Sequence, residues 1–334
     1  MKEDRFQIIV GVSNISDSQN QHVGVLLTSI LENITIPVTA YILYCEIDDP
    51  LNKVYQENMT NYHNLELKYN FQVEFIYYPI INGDTPLKKY FLNHPKSKIL
   101  SHAAALRCFA PKILQNNDWV LYLDTDIVVN FDLSELWLQR YKYESYALVA
   151  CIDESISQWP KKYHALHSKY GLSYDKYFNS GVLLMNLNKI RNSYNLDDVA
   201  EYLLNNNIKY PFYDQDFLNW AFKNDVYYLP SSKYDNMILR HPDGPYSESC
   251  IHFTIQKPWL SISHPSQGEY WYYLFRSPWG DTPEKIAACE MRLLKNSQYI
   301  FFGFKNRFGI ITGISFIMKH IKHWIRQHFM WKVK

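Results

Sequence analysis

Two carboxylates one residue apart, Asp124 and Asp126, end the apolar run WVLYL in the stretch WVLYLDTDIVV. Side chains alternate along a β-strand, so residues i and i+2 leave it on the same side. The pair would project together past the end of the strand, where open α/β sheets bind their ligands. Carboxylates held side by side need positive charge, and a divalent cation such as Mg²⁺ or Mn²⁺ is the usual partner. The pattern alone is weak, because a chain of 334 residues holds roughly one D-x-D by chance.

Two chemistries use such a strand-end pair. A haloacid-dehalogenase-type phosphatase employs it as nucleophile and acid; a nucleotide-sugar transferase employs it as a metal clamp. The phosphatase also needs a later lysine and an acidic pair, and Asp197 and Asp198 lie in a helix-like stretch. Three more segments carry polar groups in apolar surroundings: KYFNSGVLLMNLNKIR from Lys176, YDQDFLN from Tyr213 and HFTIQKPW from His252. With LYLDTDIVV, in this order and spacing, they resemble the family 8 glycosyltransferases over about residues 7–280. That retaining group includes bacterial lipopolysaccharide galactosyl- and glucosyltransferases. The phosphatase reading leaves FNSG, DQD and KPW unexplained.

The resemblance implies a GT-A-type, Rossmann-like α/β fold with a mixed, mostly parallel sheet that binds a UDP-sugar with Mn²⁺, Mg²⁺ being the alternative. It implies Asp124, Asp126 and His252 as metal ligands. A metal bridging the diphosphate oxygens would stabilise charge developing on the leaving UDP. Arg107, in HAAALRCFAPKIL, and Thr125 match donor contacts. Lys257 matches a lysine that reaches the diphosphate, a charge-assisted contact. Four residues separate it from His252, where the family commonly has five. Asn179 matches a contact to the donor sugar, its amide able both to donate and to accept. Ser180 and Gly181 suit a backbone turn.

Asp214 and Gln215 are the implied catalytic pair, Asp214 holding sugar hydroxyls and Gln215 lying near the anomeric carbon. A glutamine amide is a poor nucleophile, which favours same-face substitution over double displacement. Asp216 is open between a structural and an electrostatic role. In the first motif, GVSNISDSQNQHVGV, Ser13 or Asn14 stands where family members usually carry an acidic nucleotide contact, with Asp17 a less apt substitute.

The elements that would position these groups follow from periodicity. Gln7–Val12, Thr39–Cys45 and Phe71–Tyr78 read as strands, with helices at Val23–Leu31 and Asn52–Tyr62 between them. This β-α-β-α-β order implies a largely parallel sheet covered on both faces. Pro79–Lys98, with three prolines and Gly83, reads as a long irregular segment, and the loop Ile80–Leu100 as a candidate acceptor wall on its length. Ser101–Leu114, Asp197–Asn205 and Asp214–Phe222 read as helices, and Trp119–Leu123, Ala147–Ile152 and Gly181–Asn186 as strands.

Composition sets outer limits. A hydrophobic fraction of 47% supports a real core. The net charge of +1 gives no electrostatic footprint for nucleic acid. Five scattered cysteines without C-x-x-C argue against a disulfide framework and fit a reducing compartment. The start, MKEDRFQIIVGV, passes from charge into a strand-like run without the apolar core of a signal peptide.

Residues 1–280 are expected to form the catalytic domain, and residues 281–334 a basic, aromatic, mainly helical tail. From Met291 onward there are six Lys, three Arg and no acidic residue. Interleaved Phe, Ile and Trp suit an interfacial segment on an anionic membrane. The expectation is a cytoplasmic enzyme held at the inner membrane face, moving glucose or galactose from a UDP-sugar to a glycan or glycolipid such as lipopolysaccharide core. A non-catalytic carbohydrate-binding protein is the remaining alternative.

Overall fold

The computed structural model describes residues 4–98, 101–156, 161–169, 171–208, 212–237, 248–254, 257–259 and 267–280. The basic tail lies outside them. Among the described residues seven strands form the main sheet: β1 (Phe6–Val12), β2 (Val38–Tyr44), β3 (Phe71–Tyr77), β4 (Trp119–Leu123), β6 (Leu148–Ile152), β7 (Phe178–Asn186) and β8 (Val226–Leu229). Their order is β3-β2-β1-β4-β7-β6-β8. Three short strands, β5 (Ile127–Val129), β9 (Asn236–Met237) and β10 (Cys250–His252), make a second sheet in the order β5-β10-β9.

The central strands are apolar on both faces, as strands covered on both sides must be. Ile8, Val10 and Val12 of β1 point into one core, with α1 (Asn20–Asn33), α2 (Lys53–Lys68) and α11 (Gln267–Arg276). Ile9 points into the other, with α3 (Pro86–Asn93), α4 (Leu106–Ile113), α7 (Leu187–Ser193), α8 (Leu196–Asn205) and α9 (Tyr213–Phe222). Each fully buried Ile, Val or Leu contributes about 1.5–3 kcal/mol of transfer free energy. Short helices α5 (Ser134–Leu138), α6 (Lys161–Lys169) and α10 (Ser231–Tyr234) lie in the connections.

The expected strands and helices form, with two differences. β7 runs antiparallel to both β4 and β6, so its start, not its end, meets the carboxyl ends of the other strands. The Pro79–Lys98 segment is not irregular throughout: it contains α3. Thr85 accepts from the Lys88 amide and Pro86 stands at the first turn, a favourable start because proline lacks the N–H that would go unpaired there. Leu87, Tyr90 and Phe91 are buried on one face. Asp197 of α8 accepts from the Leu87 amide at 3.0 Å and pairs with Lys112 of α4. That acidic residue ties helices together.

Candidate active site

At the carboxyl end of β4 a cavity of about 620 Å³ opens, walled by Arg107, Asp124, Thr125, Asp126, Asp214, Gln215 and Lys257 among others. Asp124 follows the last residue of β4, and its amide donates to the Gly181 carbonyl at 2.9 Å. Asp126 precedes β5. β10 pairs antiparallel with β5, placing His252 opposite Ile127, and the Phe253 amide donates to the Asp126 carbonyl at 3.0 Å. One ligand atom from each of Asp124, Asp126 and His252 falls within 4.8 Å of the others. The imidazole Nε2 lies 3.4 Å from Asp126 Oδ1 and 3.8 Å from Asp124 Oδ2.

These three side chains fit a divalent cation, by donor chemistry and by space. Two carboxylates with an imidazole suit Mn²⁺ better than Ca²⁺. Gly181, within β7, has no side chain to fill the cradle: a Cβ there would stand 2.3 Å from His252 Cε1 and 2.9 Å from Asp124 Oδ2. The turn expected at Ser180 and Gly181 is therefore a strand, and the glycine serves close approach.

Charge in the cavity is tightly paired. Burial works against the ionised Asp126 carboxylate, but Lys257 and His252 hold it below the ordinary range. Burial likewise works against the imidazolium of His252, which Asp126 and Asp235 push up to about 10. Arg107 is buried. Its Nη2 donates to Asp124 Oδ1 at 2.6 Å, its Nε faces Asp214 Oδ2 at 3.1 Å, and its guanidinium lies 4.0 Å over the Tyr122 ring. Despite its burial, Asp124 and Asp214 keep it above its usual value. Burial, only partly offset by Arg107, pushes Asp214 up to about 6.

Gln215 is locked at both ends. Its Oε1 accepts from the Ser180 amide at 3.0 Å, and its Nε2 donates to Asp153 Oδ2 at 2.8 Å. Asp153 follows β6, whose pairing with β7 shifts register between Val149 and Cys151; such irregularities re-aim side chains near functional sites. Asn179 Oδ1 accepts from the Gly181 amide at 2.8 Å. Asn219 of α9 clasps the Phe178 amide and carbonyl, fixing α9 against β7. Asp216 turns away into the core: it accepts from His167 Nε2 and Tyr177 Oη at 2.7 Å and from the Phe212 amide at 2.5 Å. Its place is structural, anchoring the start of α9, where Tyr213 takes a φ of 42°.

The first motif is held by the protein itself. Ser13 Oγ lies 2.5 Å from Ser101 Oγ, Asn14 Nδ2 donates to Glu46, and Asp17 accepts from the Gln19 amide. On that side the cavity wall is made by Gln19, His22 and Ser101. His22 stacks on Trp259 of KPW, ring centroids 3.7 Å apart. Sequence reasoning missed Asp153, Asp235 and His22: Asp153 and Asp235 stand outside the recognisable motifs and are brought in by β6 and β9, whereas His22 lies in the first motif, on α1, and its place shows only in the stack with Trp259.

Comparison with known proteins bears on this geometry. A Haemophilus influenzae protein named only as a candidate glycosyltransferase is 31% identical over 209 residues, 62% of this chain and 57% of that one. The chain thus covers little more than half of that relative. The lipopolysaccharide 1,2-glucosyltransferase of Escherichia coli K12 is 26% identical over 239 residues, 67% of this chain and 69% of that one. Among solved structures, the galactosyltransferase LgtC, crystallised with donor and acceptor sugar analogues, superposes with a TM-score of 0.64 at 20% identity. The match covers 85% of this chain and 100% of that one. It establishes the GT-A-type fold. The family model described as glycosyl transferase family 8 matches residues 14–263, well over half of the chain, and the chain belongs to that family.

Proposed function

We propose that this protein moves a hexose from a UDP-sugar to a cell-surface glycan, with retention of configuration and with Mn²⁺ as cofactor. The carrying observation is the meeting of Asp124, Asp126 and His252 within 4.8 Å in the cavity that also presents Arg107, Asp214 and Gln215. Membership of family 8 and the likeness to a lipopolysaccharide glucosyltransferase support a lipopolysaccharide-type acceptor.

Asp124, Asp126 and His252 would hold the cation, which when bound supplies Lewis-acid stabilisation to the departing diphosphate. Arg107 keeps Asp124 and Asp214 apart yet fixed, so both carboxylates are preorganised before substrate arrives. Asp214 accepts hydrogen bonds from donor sugar hydroxyls. Lys257 turns from Asp126 to the diphosphate when the donor enters. Gln215 is committed through Oε1 to Ser180 and through Nε2 to Asp153, and a glutamine amide is a poor nucleophile. Its fixed amide supports same-face substitution, in which the leaving phosphate takes the acceptor's proton. Asn179 and Thr125 complete the donor contacts, and Ser13 or Asn14 reaches the nucleotide from the β1–α1 loop. Membrane anchoring through residues 281–334, on the cytoplasmic face, remains part of this proposal; no helix of the described residues is long and apolar enough to cross a membrane.

The test is UDP release by the purified protein with Mn²⁺ across UDP-glucose, UDP-galactose and UDP-N-acetylhexosamines, with EDTA and Asp126→Asn as controls. Turnover of one donor, lost in both controls, is expected. Absence of both turnover and calorimetric donor binding would refute the UDP-sugar assignment.

A further inference from the structure

We propose that Asp235 is the positioning residue for His252: its carboxylate holds the imidazole at Nδ1 so that Nε2 is presented to the cradle formed with Asp124 and Asp126. This rests on the reading of those three residues as a metal site.

The geometry begins with strand pairing. Asp235 sits between α10 and β9, and β9 runs parallel to β10 with Met237 opposite His252. Asp235 Oδ1 lies 2.7 Å from His252 Nδ1, while Nε2, on the opposite edge of the ring, lies 3.4 Å from Asp126 Oδ1. An imidazole gripped at one nitrogen by a carboxylate has its tautomer and its rotation set, and the other nitrogen becomes the better ligand. The loop is itself braced: the Asp235 amide donates to Ser231 at 2.9 Å, and Asn236 Nδ2 donates to Ser249 Oγ at 3.2 Å.

Asp235 is a poor choice for fold stability. It is fully buried, and its Oδ2 has no hydrogen-bond partner among the described residues. Burying a carboxylate with one oxygen unpaired is costly. What the residue accomplishes is therefore found in the ring it orients, at a position that none of the sequence motifs includes.

The experiment is calorimetric titration of Mn²⁺ alone into the metal-free full chain, for wild type, Asp235→Leu, Asp235→Asn, His252→Ala and the Asp235→Leu/His252→Ala double variant. Asp235→Leu should weaken Mn²⁺ about 10- to 100-fold without lowering the thermal midpoint of the metal-free protein. Asp235→Asn, whose amide oxygen can still accept from Nδ1–H, should recover part of the loss. In the His252→Ala background Asp235→Leu should change nothing further. If leucine is not accommodated, Asp235→Ala carries the same comparison. Wild-type affinity in Asp235→Leu, or losses that multiply independently in the double variant, would overturn the positioning role and leave the metal site standing. A wild-type protein that does not bind Mn²⁺ would remove the metal site itself, and this role with it.

Discussion

The Lys257 ammonium is paired with the Asp126 carboxylate, and it also donates to the carbonyls of Phe253 at 2.6 Å and Thr254 at 3.2 Å. A side chain expected to serve the diphosphate thus occupies a carboxylate expected to serve the metal. On the proposed function, the ammonium and a cation would compete for Asp126 in nucleotide-free protein, and a bound diphosphate would give the lysine a better partner and end the competition. Lys257→Ala should therefore bind Mn²⁺ alone more tightly, by roughly two- to fivefold given a partly exposed pair, and bind UDP in the presence of Mn²⁺ more weakly. Paired titrations with and without UDP read both signs. Weaker Mn²⁺ binding without nucleotide would refute the competition.

Gly181→Ala tests the cradle. The added Cβ would meet His252 Cε1 at 2.3 Å and Asp124 Oδ2 at 2.9 Å, and neither neighbour is free to retreat. Overpacking of this kind costs about 1–3 kcal/mol. The expected outcome is a lower unfolding midpoint and Mn²⁺ affinity reduced by at least about tenfold, since misplaced ligands lose affinity as second-sphere variants do. Wild-type metal affinity in this variant would mean that the three side chains do not converge as described.

Asp214 sets a pH dependence whose sign is fixed. Its carboxyl lies at about 6 because of burial, against about 4 in an unfolded chain. The folded protein keeps the proton longer, so the associated stabilisation is complete below about pH 4 and is lost as pH rises through about 6. Asp214→Asn cannot ionise. Urea unfolding of metal-free protein should show the variant gaining on wild type between pH 4.5 and 6.5 by roughly 1–3 kcal/mol, with a constant gap above. A gap that ignores pH would contradict a buried, protonatable Asp214. Donor binding should move the other way, weaker in the variant.

Asp153 is expected to act through Gln215. With the 2.8 Å bond from Gln215 Nε2 removed, the amide keeps only its link to Ser180. Asp153→Ala should lower kcat by about 10- to 100-fold, the scale of a misplaced catalytic group, with the KM for the donor changed far less. Steady-state kinetics with the preferred UDP-sugar separates the two. A loss confined to KM would reassign Asp153 to ground-state binding.

Much of the frame was legible because it is local. Alternating and 3.6-residue periodicities fall within single elements, so β1, β2, β3 and the helices between them follow from the residues alone. The apolar run of β4 places Asp124 just past its end; Asp126 does not continue the strand's alternation but lies in the turn before β5. Helix α3 was hidden because prolines and Gly83 read as loop, whereas Thr85 and Pro86 begin a helix whose buried face is completed only by Tyr90 against Phe217 and Phe91 against Phe109.

The sequence by itself determined the strand-helix alternation, the place of Asp124 and Asp126 just past the end of β4, and the motif set that marks family 8. The resemblance implied His252 as their partner; tertiary structure alone decided how it reaches them and which further groups do. His252 reaches Asp126 across 125 intervening residues because β10 pairs with β5; Gly181 reaches Asp124 because β7 runs antiparallel to β4; Asp235 and Asp153 arrive from β9 and β6. Pairing between distant strands is chosen by the burial of whole faces and the closure of backbone hydrogen bonds, and neither leaves a mark on the few residues that it brings together.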